Sequence, residues 1–247
     1  MSDIICGRNP VMEALRAHFK IQKILIAANL QHPRLAEIER LARQNDVPVQ
    51  RAPKENLANL SGEVRTQGVV ALVESQRYAT VQQILEHSQK LGPPLVALLD
   101  GIEDPHNFGA ILRSADAAGC HGVVVPKRRS AALTATVAKT SAGAMAHVPV
   151  ARVANLSAAI DELKRRDIWI VGATQEAEKI YTETDLTGAL GIVIGSEGKG
   201  LHRLVQEKCD FLVKIPMCGK VNSLNASVAA ALLFFEVRRQ RCLSGKK

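Results

Sequence analysis

Aromatic residues are scarce in this chain: five Phe, two Tyr and one Trp make up 3% of its 247 residues. A sheet paved with base-stacking rings, a common platform for single-stranded nucleic acid, is therefore not expected. Long apolar runs are missing too. The longest, Val228 to Phe235, is eight residues, far short of what spans a bilayer. The opening Met1-Ser2-Asp3-Ile4 lacks the basic and apolar regions of a secretory signal, so the expectation is a soluble, cytoplasmic protein. None of the five cysteines (Cys6, Cys120, Cys209, Cys218, Cys242) forms a C-x-x-C pair or sits with His at metal-ligand spacing. No metal and no disulfide framework are expected, and the thiols read as reduced, small buried hydrophobes. No fixed-period repeat and no low-complexity tract is present.

What is present is positive charge and enough apolar residue for a core. Lys and Arg exceed Asp and Glu by 32 to 24, giving a net charge of +8 and a pI near 9.4. That balance favours a polyanionic partner, nucleic acid before membrane surface. With so few aromatic rings, phosphate contacts and polar side chains would have to do most of the binding. Hydrophobic residues make up 47%, and the length suits one large domain or two ordinary ones.

Two blocks alternate strand and helix. In residues 1–75 the pattern predicts a helix from Asn9-Pro10 through Val11, Ala14, Leu15 and His18, with Asn9 as its cap. A strand follows at Lys23–Ala27, a helix from Pro33 to Gln44, a strand at 47–50, a helix from Pro53 to Leu60 and a strand at Val69–Val73. Residues 76–94 read as a linker, with a helix-like piece from Thr80 to Lys90 and Gly92-Pro93-Pro94 at its end. In residues 95–247, strands are predicted at 95–100, 122–125, 168–171, 191–194 and 211–215. Helices are predicted at 107–118, 133–144, 156–166 (capped by Asn155), 200–207 and 224–241. Such alternation implies a parallel α/β sheet, whose ligands bind beyond the carboxyl ends of the strands.

Three polar clusters fall at those strand ends. The first is Asp100 to Arg113, in which Asn107 reads either as a helix cap or as a functional amide. The second is Ile194-Gly-Ser-Glu-Gly-Lys-Gly200. It has too few residues between Gly195 and Gly198 for a Walker loop, and Arg203 stands where a dinucleotide fold needs its third glycine. It reads as a ligand loop or as a tight turn. The third is Ile215-Pro-Met-Cys-Gly-Lys-Val-Asn-Ser-Leu-Asn225, where a strand runs through a polar loop into a long helix. The basic run Lys127-Arg128-Arg129 reads as a phosphate grip or a solvated loop.

These three clusters, complete and in order over residues 95–240, resemble the SpoU/TrmH family of RNA ribose 2′-O-methyltransferases of the SPOUT class. The block beginning Ile5-Cys-Gly-Arg-Asn-Pro10 looks like the RNA-binding domain of the RlmB branch, which acts on a guanosine of 23S ribosomal RNA. The resemblance implies an α/β fold with a C-terminal trefoil knot, S-adenosylmethionine as methyl donor, and a homodimer working on ribosomal RNA or the assembling large subunit. It assigns Gly195, Ile215 and Leu224 to the cofactor. It assigns Arg113, Asn107, Glu197, Ser223 and Asn225 to catalysis.

The chemistry suits these residue types. A ribose hydroxyl is a poor nucleophile until its proton is drawn away, and the protein must orient it. Arg113 acts either as an unusual base or as a clamp that meets the developing alkoxide. Two other readings stand beside this one. A non-catalytic RNA-binding factor would bind no S-adenosylmethionine, and a nucleotide-dependent enzyme would be protected by ATP against unfolding.

Overall fold

The computed structural model describes residues 3–16, 19–61, 66–73, 78–88 and 91–245, and they form two units. The first comprises residues 1–77 together with 133–140. Its elements are β1 (Asp3–Cys6), α1 (Arg8–Arg16), β2 (Ile21–Ala27), α2 (Arg34–Gln44), β3 (Val49–Ala52), α3 (Lys54–Ser61) and β4 (Val69–Val73). The sheet order is β1-β4-β2-β3, with only β2 and β3 parallel. Successive side chains of β2 face opposite ways. Leu25 and Ala27 pack with Leu57 of α3 and Val70. Ile24 and Ile26 serve the other face, which α1 and α2 cover with Val11, Leu15 and Ile38, all essentially inaccessible. Each such side chain contributes roughly 1.5–3 kcal/mol of burial.

Helix α1 starts at Arg8, so Asn9 is not its cap. Gly7 adopts φ 99 and its carbonyl already accepts from Val11 N (3.1 Å), which brings the first turn forward. The Asn9 side chain instead accepts from Arg34. His18, Ser75 and Lys90, at the ends of expected elements, lie outside the described residues.

The second unit comprises residues 78–132 and 141–247. Its elements begin with α4 (Val81–Ser88), β5 (Leu95–Asp100), α5 (Pro105–Ala118) and β6 (Gly122–Pro126). The short helix α6 (Ala135–Thr140) belongs to the first unit, where Lys139 pairs with Glu13 at 3.4 Å. Then follow β7 (Val150–Val153), α7 (Leu156–Lys164), β8 (Trp169–Ala173), β9 (Lys179–Ile180), β10 (Leu190–Gly195), α8 (Arg203–Gln206), β11 (Phe211–Lys214) and α9 (Ala226–Leu243). The seven strands are all parallel, in the order β7-β6-β5-β10-β8-β11-β9. Every residue of β5 is buried, as a central parallel strand requires. One face carries Ile84, Leu85, Ile160, Leu163 and Val205 from α4, α7 and α8. Helices α5 and α9 pack together, burying Phe108, Ile111 and Leu112 with Ala230, Leu233 and Phe234.

Three expected stretches differ for local reasons. Within the stretch 76–94, expected as a linker, the helix-like piece expected at 80–90 is α4, whose Ile84 packs so closely on β6 that a Cβ on Gly122 would lie 2.7 Å from it. Val81, Ile84, Leu85 and Ser88 form the buried side of that helix. The expected helix 133–144 stops at Thr140, because Ala142 and Gly143 turn left-handed (φ 50 and 97) before a short 3-10 turn at Ala144–Ala146. Helix α8 is only Arg203–Gln206, since the backbone N–H of His202 donates to Asp100 Oδ2 (2.7 Å). Strands β1, β7 and β9 had not been expected. Cys120 is buried and Cys6 and Cys209 are half-buried, but Cys218 and Cys242 are exposed, which corrects the expectation that all five are core residues. Burial pushes the Cys209 thiol up to about 12.

His121 locks the start of β5. Its Nδ1 accepts from Leu95 N (2.9 Å) and its own N–H donates to Leu95 O (2.8 Å). Burial, with Arg241 and His87 nearby, lowers its pKa from 6.5 to about 4. The folded state therefore binds fewer protons than the unfolded chain between those values, so this contribution to stability is full above pH 6.5 and lost as pH falls toward 4. We expect the thermal midpoint to fall over that window, and His121→Asn, which keeps an acceptor but cannot titrate, to flatten the fall in a melting series.

Candidate active site

In an open parallel sheet, ligands bind where adjacent strands send their connections in opposite directions. Strand β5 leads toward β6 and β7 on one side, while β10, its other neighbour, leads beyond β8 to β11. The crevice outside β5 and β10 is thus the default site, and the first two polar clusters rise from it. Asp100 and Gly195 end the two strands as paired partners.

The first cluster turns into α5 through Asp104, whose Oδ1 accepts from His106 N (3.0 Å), with Pro105 at the first helical position. Asp104, and not Asn107, is therefore the cap, and the Asn107 amide is free for other partners. The same Asx-Pro pattern that fails at Asn9-Pro10 holds here.

The second cluster is a tight turn. Ser196 N donates to Gly200 O (3.1 Å) and Gly200 N to Ser196 O (2.9 Å), with Gly198 and Gly200 left-handed. A Cβ on Gly195 would lie 2.3 Å from the Gly200 carbonyl carbon, so only glycine lets the chain fold back. The turn presents Glu197 at its tip.

At Glu197 three parts of the chain meet. Its Oε1 accepts from Asn107 Nδ2 (3.0 Å), Asn225 Nδ2 (2.5 Å) and Ala226 N (3.2 Å). Asn225 Nδ2 also donates to Asn107 Oδ1 (2.8 Å). Asn225 Oδ1 accepts from Ser227 N (2.9 Å) and Val228 N (3.4 Å), making Asn225 the N-cap of α9. The Glu197 carboxylate thus sits at the positive end of an 18-residue helix. Asn107, Glu197 and Asn225 form one hydrogen-bonded cluster.

Arg113 and Ser223 stand outside it. Both are exposed, and neither side chain has a hydrogen bond or ion pair among the described residues. Arg113 lies six residues beyond Asn107 on α5, about 9 Å along the axis and about 120° around it. Ile215 and Leu224 are half-buried at the ends of the third cluster. Gly195 ends β10 and Ile215 follows β11, and β8 separates the two strands, so they stand about 10 Å apart at the same sheet edge. Among the described residues no backbone N–H of 216–224 donates to another backbone group, and Ile215 O accepts from Gln175 Nε2 (3.3 Å). The loop thereby offers main-chain hydrogen bonds to a ligand.

Beside the cluster lies a cleft of about 430 Å³ lined by Asn107, Glu197, Arg129, Lys199 and His202. Asp100 and His202 were not picked out from the sequence. Asp100 is 5% exposed, and its Oδ1 meets His202 Nδ1 at 2.9 Å. A carboxylate ending a wholly apolar strand was the available signal for Asp100. His202 gave none. Among the described residues no group of three His, Cys, Asp or Glu could hold a metal ion, and no helix is long and apolar enough to cross a membrane.

An α/β sheet with its polar cluster at the switch point defines a ligand-binding enzyme fold, and the comparisons with known proteins give it a lineage. Residues 94–235 match the SpoU rRNA Methylase family. Residues 4–79 match the family described as RNA 2′-O ribose methyltransferase substrate binding. This chain belongs to the SpoU/TrmH family of RNA methyltransferases. It is 46% identical over 241 residues to YacO of Bacillus subtilis, named for the TrmH family of tRNA/rRNA methyltransferases, covering 97% of this chain and 96% of the relative. A Staphylococcus saprophyticus protein named for the same family is 50% identical over 246 residues, with 99% and 98% covered. Among solved structures, the SpoU methyltransferase AviRb of Streptomyces viridochromogenes, in complex with the cofactor AdoMet, is similar at 26% identity. Its TM-score is 0.66, with 98% of this chain and 91% of that one covered.

If the cluster acts as a unit, its members are not independent. We expect Asn107→Ala and Glu197→Ala each to lose about 0.5–1.5 kcal/mol in urea denaturation. The double variant should lose no more than the larger single loss, whereas additive losses would show that the residues act separately.

Proposed function

We propose that this chain is an S-adenosylmethionine-dependent enzyme that methylates the ribose 2′-oxygen of a guanosine in 23S ribosomal RNA. Its target lies in the peptidyl-transferase region, and it acts as a homodimer in the cytoplasm on ribosomal RNA or on the assembling large subunit. The observation that carries the reading is the convergence of Asn107, Glu197 and Asn225 at the switch point. Family membership and the AdoMet-bound relative AviRb support it. The names of the relatives cover tRNA as well as rRNA, which keeps another rRNA or tRNA position as the alternative substrate.

The main-chain groups left unpaired in residues 216–224 fit a cofactor held through its polar edges, with Gly195, Ile215 and Leu224 around it. S-adenosylmethionine, when bound, supplies an electrophilic methyl group. The protein orients the ribose and disposes of its proton. Glu197 and Asn225 fix the Asn107 amide, so its remaining hydrogen-bonding capacity is aimed before the RNA arrives. Ser223 offers an uncommitted hydroxyl. Arg113, unpaired and exposed, is available to an RNA phosphate. From there it either takes the hydroxyl proton as a neutral base or meets the oxyanion as a cation. Residues 1–75 choose the RNA, and residues 95–247 carry the chemistry.

The dimer reading is supported by an apolar stripe on α9. Val228, Leu232 and Phe235, at helical spacing, are 46%, 38% and 49% exposed. The threaded trefoil crossing of the C-terminal segment belongs to the same inference. It is supported by the return of α9 from beyond β11 to pack on α5 and β10.

Arg113→Ala should fold normally and lose more than nine-tenths of methyl transfer. Activity above a tenth of wild type overturns its assignment. Primer extension on 23S RNA from a deletion strain should reveal one guanosine that has lost its 2′-O-methyl group, and unchanged rRNA would move the substrate elsewhere. Phe235→Asp should sediment as a monomer, whereas an unchanged dimer would remove α9 from the interface.

A further inference from the structure

The cleft of about 430 Å³ beside the Glu197 cluster is lined by cations that have no carboxylate partner and, Glu103 apart, by carboxylates that are already bonded. Asp100, buried at the end of β5, is bound to the lining residue His202 through both oxygens, at 2.7 Å to N and 2.9 Å to Nδ1. Asp104 caps α5, and Glu197 holds the site cluster. Glu103 is the one lining carboxylate with no hydrogen bond among the described residues. The lining cations are Arg129 and Lys199, and neither has an ion pair among the described residues. Arg129 Nη1 meets only His202 Nε2, at 3.4 Å.

Arginine can only donate, so a hydrogen bond at this contact uses the tautomer that points Nδ1–H at Asp100 and leaves Nε2 to accept. The chain is also bent to place Arg129. Its backbone is left-handed (φ 57), a conformation few non-glycine residues adopt. The surrounding turn is tied down by Ala131 N to Ile102 O (2.8 Å) and by Arg152 Nη2 to Lys127 O (3.0 Å). A guanidinium beside an imidazole that Asp100 orients is placed to take an oxyanion through its fork of N–H groups.

We infer that this cleft binds a backbone phosphate of the RNA next to the methylated ribose. Arg129 is the anion ligand, Lys199 adds charge at the mouth, and the Asp100–His202 pair positions Arg129. The inference rests on the proposed RNA substrate and deepens it. Phosphate contacts made by this cleft set where the neighbouring nucleotide lies, and so which ribose faces Asn107.

The test measures binding of in-vitro-transcribed 23S ribosomal RNA to the full chain across a salt series, with S-adenosylmethionine calorimetry and a thermal melt on each variant. For Arg129→Gln the expected result is about tenfold weaker RNA binding and a salt slope shallower by about 0.7, the value of one single-strand phosphate contact. Arg129→Lys should restore the slope, and His202→Gln should raise the KM for RNA while kcat is kept. Cofactor affinity and melting midpoint should not move. If the wild type methylates this RNA and the Arg129→Gln slope is unchanged, the inference is overturned while the proposed function stands. If Arg129→Gln weakens S-adenosylmethionine and not RNA, the cleft takes the cofactor's carboxylate and the inference is again overturned. A wild type that binds neither RNA nor S-adenosylmethionine sinks the proposed function, and the inference with it.

Discussion

One carboxylate oxygen organises the site. Glu197 Oε1 receives an amide from α5, an amide from the loop before α9, and the first backbone N–H of α9. Those donors lie 90, 28 and 29 residues from it in sequence. A single charge therefore joins all three polar clusters, and it does so where a helix end is short of acceptors. The arrangement is also economical in conformational terms. The turn that presents Glu197 is closed by its own backbone bonds, so the carboxylate is aimed before it meets its donors.

That convergence depends on the sheet. Strands β5 and β10 are neighbours, yet the chain leaves them in opposite directions, which opens a crevice at their carboxyl ends. Asp100 and Gly195 end those strands side by side. Asp100, buried at the strand end, fixes His202, and Gly195 lets the next turn double back against it. The burial of β5 makes the platform rigid, and the loops that rise from it carry the polar groups.

Much of the second unit was legible in the sequence. Buried parallel strands read as short apolar runs, so β5, β6, β8, β10 and β11 stand close to their expected places. The ends were less legible. Asp104 took the capping role, one of the two readings open for Asn107, because a Pro at the first helical position favours the residue just before it. The same pattern failed at Asn9, where Gly7 turned the chain first. The helix-like piece expected at 80–90 is α4, but the polar composition of its surroundings read as a linker and hid its packing against the sheet. In the site, strand-end placement marked the three clusters, and the family resemblance picked out Asn107, Glu197 and Asn225 within them. Arg113 and Ser223 carried the same signal but lie outside the hydrogen-bonded cluster.

The sequence alone determined the alternation of strand and helix, the parallel sheet it implies, the family, and which polar segments stand at strand ends. These follow from local periodicity and from motifs read in order. Only the tertiary structure decided that the glycines of residues 195–200 make a turn closed on itself, that Glu197 and not a phosphate occupies the start of α9, and that Arg129 and His202 share a cleft with Asn107. Each of these depends on which strands become neighbours. Strand order is set by burying apolar faces across the whole sheet, a property that no short stretch of residues carries.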